Sequence, residues 1–133
     1  MPQLTEEIIK LRAERAAVVE EHLSAENDED VDRVLATFTH PRYELMAGGH
    51  VHEGVDAVRA HHEGQLERRG KSIYSVVKMH HSDDAVIVEY EARKPAAAPD
   101  AFLPALAIFE FDGTGLVCER VYYDSATAIR ELG

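Results

Sequence analysis

The chain has 133 residues, a hydrophobic fraction of 45% and a net charge of −11 at pH 7. This length predicts a single domain over residues 1–133 with a substantial core. The negative charge argues against binding to nucleic acid or to anionic membrane surfaces, because both require a basic face. The single cysteine, Cys118, excludes an intrachain disulfide. With no apolar leader or spanning segment in the sequence, we expect a cytoplasmic protein.

The first half of the chain shows helical spacing of its apolar residues. Thr5 is a suitable N-cap for the first helix, and acidic residues follow it in the first turn. A glycine pair at Gly48 and Gly49 predicts a turn between two short extended segments, at 42–46 and 50–52. The predicted helices cover residues 5–23, a stretch that begins after Asn27, residues 55–68 and a short closing segment at 126–132.

The second half changes to a period of two, which is typical of strands. Turns at 82–84 and 112–115 and a loop at 95–100 separate the strands. Because helices come first and strands follow in sequence, we predict an α+β fold with an antiparallel sheet. The predicted strands cover residues 72–80, 85–93, 102–111 and 116–124.

The last strand ends in a run of polar residues that alternate between its two faces. One face carries Arg120, Tyr122 and Asp124, and the other carries Glu119, Val121 and Tyr123. A cation, a phenol and a carboxylate on one face predict either a surface ladder or the wall of a polar-tipped pocket.

Asp124 is the first candidate for catalysis. Inside an apolar cavity, its carboxylate would lose solvation and its pKa would rise, which suits a general acid or base. Contact with Arg120 would instead lower the pKa and favour a structural ion pair. A helix cap is the other structural interpretation.

Two further side chains are candidates for the same site. Tyr122 would donate its phenol hydrogen to a carbonyl oxygen, and His62, on the apolar stripe of the third helix, would be an acid/base partner. His50 and His52 have a spacing seen in metal sites, but the sequence offers no third ligand. We therefore predict no metal and, in the absence of any nucleotide-binding motif, no cofactor.

The chain resembles the SnoaL-like polyketide cyclase group of the nuclear transport factor 2-like superfamily. The resemblance covers essentially the whole chain. It is carried by the segments His40-Pro41-Arg42-Tyr43-Glu44, 51–59, 81–89, Phe109-Glu110-Phe111-Asp112-Gly113 and 119–124.

The resemblance implies a cone, in which a strongly curved antiparallel sheet wraps around three helices and leaves a pocket open at one end. It also implies a homodimer and a general acid/base role for Asp124 next to a carbonyl of a small hydrophobic substrate. Arg120, Tyr43 and Phe109 are the predicted substrate contacts. The alternative is a non-catalytic dimeric binder of a small hydrophobic ligand, because the superfold hosts both.

Overall fold

The computed structural model describes residues 4–95 and 98–132. The Thr5 hydroxyl accepts a hydrogen bond of 3.2 Å from the Ile8 amide, which confirms the predicted N-cap. No helix in this described part of the chain is both long and apolar enough to cross a bilayer. The helices are α1 (Glu6–Asn27), α2 (Val31–Ala36), α3 (Val55–Arg69) and α4 (Ser125–Leu132).

Six strands form one sheet in the order β2-β1-β6-β5-β4-β3. Four of the five neighbouring pairs are antiparallel, as predicted, and the pair β1–β6 is parallel. This parallel pair places the short strand β1 beside the last strand of the chain. The strands are β1 (Arg42–Leu45), β2 (His50–Glu53), β3 (Ile73–His81), β4 (Ala85–Lys94), β5 (Ala98–Asp112) and β6 (Gly115–Tyr122).

Two predicted strand boundaries are wrong. β5 begins at Ala98, so residues 98–100 are part of a strand rather than a loop, while residues 96–97 lie outside the described residues. β6 ends at Tyr122, two residues earlier than predicted. Pro104 lies within β5, but the pairing of β5 with β6 starts only at Leu106. The missing N–H of Pro104 is tolerated because no β6 residue pairs with it.

The sheet is bent by register shifts, for example between Val76 and Lys78 and between Glu110 and Phe111. Such bulges increase the local twist and bend a strand. The resulting concave face supplies the core, in which Val86 and Phe109 are fully buried against the helices. The predicted α+β cone is therefore confirmed, with α1, α2 and α3 inside the curve and α4 following β6.

Candidate active site

The polar trio at the end of β6 lies on the outer surface of the sheet. Arg120 donates a hydrogen bond of 2.7 Å to Glu44 and pairs with Glu110, which holds its guanidinium away from the cone interior. Tyr122 is 40% exposed. Of the two predicted alternatives for the face shared by Arg120, Tyr122 and Asp124, the surface ladder is therefore correct, and none of the three lines the cavity on the concave face, so their predicted catalytic and substrate-binding roles are wrong.

Asp124 lies just after β6 and is exposed. Its carboxylate accepts hydrogen bonds from the Thr127 amide, at 3.2 Å, and from the Thr127 hydroxyl. These hydrogen bonds lower the pKa of Asp124 from its ordinary value. The prediction of a sheltered carboxylate with a raised pKa is therefore wrong, and the structural alternative, a cap at the start of α4, is correct.

We expect Asp124→Ala to lower the melting temperature by roughly 3 °C, because the first turn of α4 loses its acceptor. Asp124→Asn should leave the melting temperature unchanged, since asparagine caps helices as well as aspartate does. Thermal unfolding followed by circular dichroism measures both variants. An equal loss in the two variants would contradict the capping role.

A cavity lies on the opposite side of β6, between the concave face of the sheet and the helices. It contains about 850 Å³ of empty space, counting the solvent at its mouth. Arg68, from the basic end of α3, contributes to its wall. The lining residues are Leu23, Glu26, Tyr43, Leu45, His61, Gln65, Arg68, Ser72, Tyr74, Tyr90, Ala92, Lys94, Leu103, Ala105, Glu119, Val121, Tyr123 and Leu132.

Glu119, in the cavity wall, belongs to a buried ion pair. Glu119, from β6, is 3% exposed, and its Oε2 lies 2.7 Å from Nε2 of His22, which projects from α1 and is fully buried. The two atoms are in contact, but neither has a well-directed hydrogen bond within the described part of the chain. Glu26, one turn further along α1, places its Oε1 3.5 Å from the same nitrogen.

The surroundings of His22 favour its charged form. Burial alone lowers the pKa of this imidazole, but the negative charges of Glu119 and Glu26 outweigh burial and raise the pKa to about 10. His22 is therefore an imidazolium at neutral pH, and its positive charge is held directly against the Glu119 carboxylate.

Two tyrosines bring phenol groups into the same cavity. Tyr43 pairs in register with Glu119 across the β1–β6 pair, so the two side chains are neighbours on the concave face. Burial, followed by the charge of Glu119, raises the pKa of both Tyr43 and Tyr90 well above the ordinary value. Both phenols therefore stay protonated. Neither has a hydrogen-bond partner among the described residues, so both hydrogens are available to a ligand.

The other predicted residues lie around this group. Phe109 is also in register with Glu119, across β5–β6, but it is fully buried against the His22 ring and does not line the cavity. His62 lies on α3 with its Nδ1 3.7 Å from Glu26 Oε1, and burial lowers its pKa. It lines a smaller neighbouring cavity rather than the main one. Of the predicted substrate contacts, only Tyr43 lines the main cavity.

One group of described residues brings together three side chains of types that bind metals, but the imidazolium of His22 has no free nitrogen lone pair to offer an ion. The nearest ligand atoms of His22, Glu26 and Glu119 all lie within 4.8 Å of one another. The predicted histidine pair does not belong to this group: His50 is exposed, and the His52 ring stacks on His61 at 4.5 Å.

The Cys118 thiol is buried and its pKa is raised to about 12 by burial and by Glu44, so it is unsuited to act as a nucleophile.

His22 and Glu119 were not predicted as site residues, although the sequence contains a signal for His22. Arg15, Val19, His22 and Glu26 follow one another at spacings of four, three and four residues, which places them on one face of a helix. Val19 on that stripe indicates that the stripe faces the core. A histidine beside it is therefore expected to be buried and to need a partner.

Comparison with solved structures shows the same fold at low sequence identity. A hypothetical protein with a ketosteroid isomerase-like fold from Catenulispora acidiphila, solved in complex with trimethylamine, has a TM-score of 0.74 and 16% identity, over 87% of this chain and 92% of that one. A phenazine biosynthesis-related protein from Pseudomonas aeruginosa has a TM-score of 0.76 and 20% identity, over 99% and 88%. A putative SnoaL-like polyketide cyclase from Jannaschia sp. CCS1 has a TM-score of 0.77 and 14% identity, over 90% and 92%.

No curated protein matches the chain by sequence. The family model of the SnoaL-like domain matches residues 19–120, which is more than half of the chain and spans the stretch from α1 to β6 that carries His22, Tyr43, Tyr90 and Glu119. The chain therefore belongs to the SnoaL-like domain family.

Proposed function

We propose that this protein is a cofactor-independent enzyme of the isomerase or cyclase type, which moves a proton next to a carbonyl group of a small ring-bearing molecule. Glu119, paired with His22, takes the acid/base role that the sequence assigned to Asp124. The observation that carries the proposal is the buried His22–Glu119 pair in the wall of a cavity that also holds the two available phenols of Tyr43 and Tyr90.

In the proposed reaction, Glu119 removes a proton from the carbon next to the carbonyl. The electrons of the broken C–H bond form the enolate C=C bond, and the carbonyl π electrons move onto the oxygen. Tyr43 and Tyr90 donate hydrogen bonds to this oxygen, where negative charge develops. An isomerase then returns the proton from Glu119 to another carbon, whereas a cyclase uses the enolate carbon to attack a second carbonyl of the same molecule.

The imidazolium of His22 has a defined part in this scheme. A negative charge that is shut off from water is costly unless a positive charge lies beside it. His22 supplies this positive charge, because its Nε2 lies 2.7 Å from Oε2 of Glu119. Leucines at positions 23, 45 and 103 give apolar wall for the ring of the substrate.

The enzyme proposal is tested by hydrogen exchange in simple ketones. Cyclohexanone and β-tetralone are incubated with the protein in heavy water, and the loss of their α-proton signals is followed by NMR. We expect faster exchange than in buffer, and Asp124→Asn should keep the wild-type rate. Exchange at the buffer rate for a ketone that is shown to bind would contradict the proposal.

The phenols give a separate prediction about binding. We expect Tyr43→Phe and Tyr90→Phe each to weaken ketone binding roughly 3- to 10-fold, because each removes one hydrogen-bond donor. The affinity is measured by NMR titration. Tyr122→Phe, on the outer face, is the matched control and should bind as the wild type does. Unchanged affinity in both cavity variants would show that the carbonyl oxygen binds elsewhere.

The alternative function is a non-catalytic binder of a small hydrophobic ligand. It is favoured by the closeness of His22 and Glu119, because a buried ion pair is in many proteins a structural element without a catalytic role. Native mass spectrometry of freshly purified protein would identify a retained ligand, and ketone binding without exchange would support this alternative.

The homodimer expected from the family stays a prediction, with Val77, Phe102 and Tyr122 as exposed outer residues for its interface.

A further inference from the structure

His22 has a second hydrogen-bonding partner, on the side away from Glu119. Its Nδ1 lies 2.8 Å from Oγ1 of Thr37, the residue that follows α2. The same hydroxyl lies 2.6 Å from the carbonyl oxygen of Val34 and donates to it. A carbonyl can only accept, so the single hydroxyl hydrogen of Thr37 is used in this contact. The Thr37 oxygen is left with lone pairs for His22, which means that Nδ1 must carry a hydrogen.

The ring itself has no freedom to rearrange. Phe38 and Phe109 pack edge-on against it, with ring centroids at 5.4 Å and 5.2 Å. Thr37 is held in turn because its backbone amide also donates to the Val34 carbonyl, at 3.1 Å. The orientation of the imidazole is therefore fixed by packing, while its hydrogen-bonding polarity is fixed by Thr37.

We propose that Thr37 is a positioning residue: by accepting the Nδ1 hydrogen of His22, it leaves Nε2 as the only ring position that exchanges a proton and directs that exchange to Glu119. The His22–Glu119 pair then contains one mobile proton rather than two. Within residues 4–95 and 98–132, three groups face the ring nitrogens: Glu119 from β6 and Glu26 from α1 on the Nε2 side, and Thr37 on the Nδ1 side. The catalytic meaning of this arrangement rests on the proposed function, but the protonation pattern does not.

The experiment reads each ring nitrogen directly. Protein labelled with nitrogen-15 is studied by long-range proton–nitrogen correlation NMR between about pH 7 and pH 11, a range that spans the raised His22 pKa of about 10. In the wild type we expect Nδ1 of His22 to stay protonated over the whole range, and Nε2 to be the nitrogen that loses its hydrogen at the alkaline end. In Thr37→Val, which keeps the shape but removes the acceptor, we expect the His22 pKa to fall by about one pH unit and the neutral ring to carry its hydrogen on Nε2. Thr37→Ser keeps the hydroxyl and should restore the wild-type spectrum.

Two results would overturn the proposal: a wild-type spectrum with Nδ1 deprotonated, or a Thr37→Val spectrum identical to that of the wild type. Because the wild-type spectrum is decisive on its own, the test survives if Thr37→Val does not fold. It is also independent of the enzyme proposal: correct protonation without ketone exchange would refute catalysis and leave the role of Thr37 intact. Catalysed ketone exchange together with a deprotonated Nδ1 would support the enzyme proposal and refute the role of Thr37.

Discussion

Replacing Glu119 with glutamine is expected to slow ketone α-proton exchange at least about a hundredfold, because a positioned acid or base contributes that much to proton transfer. The same change should destabilise the fold by about 3 kcal/mol, since the fully buried His22 loses its closest countercharge and must give up its proton or remain charged without a close partner. Urea denaturation at neutral pH measures the stability, and the ketone assay measures the exchange. The two readouts separate the roles: lost stability with unchanged exchange would leave the pair as a structural element only.

The surface of the protein provides a matched control for this substitution. His80 and Glu89 form a pair with the same chemistry and the same 2.7 Å separation, but their side chains are 43% and 48% exposed. Exposed ion pairs contribute little because water screens them. Glu89→Gln should therefore change neither exchange nor stability measurably. If both variants lost the same stability, burial would not be the cause of the Glu119 effect.

The fold was largely predictable because local patterns are enough for its main elements. The stripe of α1, the alternation of β4 and the turn at 112–115 all predicted elements that the structure confirms. The parallel pairing of β1 with β6 was not predictable in this way, since it joins segments more than 70 residues apart. Nothing in the short sequence of β1 identifies the strand that it will accept as a neighbour.

The site was harder to predict, because alternation shows which residues share a face but not which face points inward. Both faces of the β6 end carry an ionisable group and a tyrosine, so composition could not choose between them. A distant residue determines which face points inward. Glu44 of β1 pairs with Arg120 on the outer face, and the hydrogen bond from Arg120 is the main reason why the pKa of Glu44 is lowered to about 2. Arg120 is thereby fixed outside, and Glu119 must face the cavity.

Glu119 also needs a partner from elsewhere in the chain. A carboxylate buried without a countercharge is too costly to persist, so its burial depends on His22, which lies almost one hundred residues earlier. The helical stripe indicates that His22 is buried, and strand alternation indicates that Glu119 has a fixed face. Only the packing of α1 against the sheet brings the two side chains into contact, and no single segment of the sequence predicts that packing.

The second large effect concerns the dependence of stability on pH. The His22 pKa is about 10 in the folded protein, because the charges of Glu119 and Glu26 outweigh the effect of burial, and it returns to about 6.5 on unfolding. A raised pKa means that the folded state holds the proton more tightly, so the stabilisation is complete below about pH 6.5 and is lost as the pH rises towards 10. In this window the free energy of unfolding should fall by up to about 1.4 kcal/mol per pH unit.

Urea denaturation at a series of alkaline pH values measures this slope. Two variants then show which residue is responsible for it. Glu119→Gln should flatten it, because burial lowers the His22 pKa once the main countercharge is gone, and His22 then no longer binds an extra proton in the folded state. His80→Gln should keep the wild-type slope, because that imidazole is exposed. A slope that persists in Glu119→Gln would mean that another group loses its proton on unfolding. In that case the contact between His22 and Glu119 would not be the source of the pH dependence.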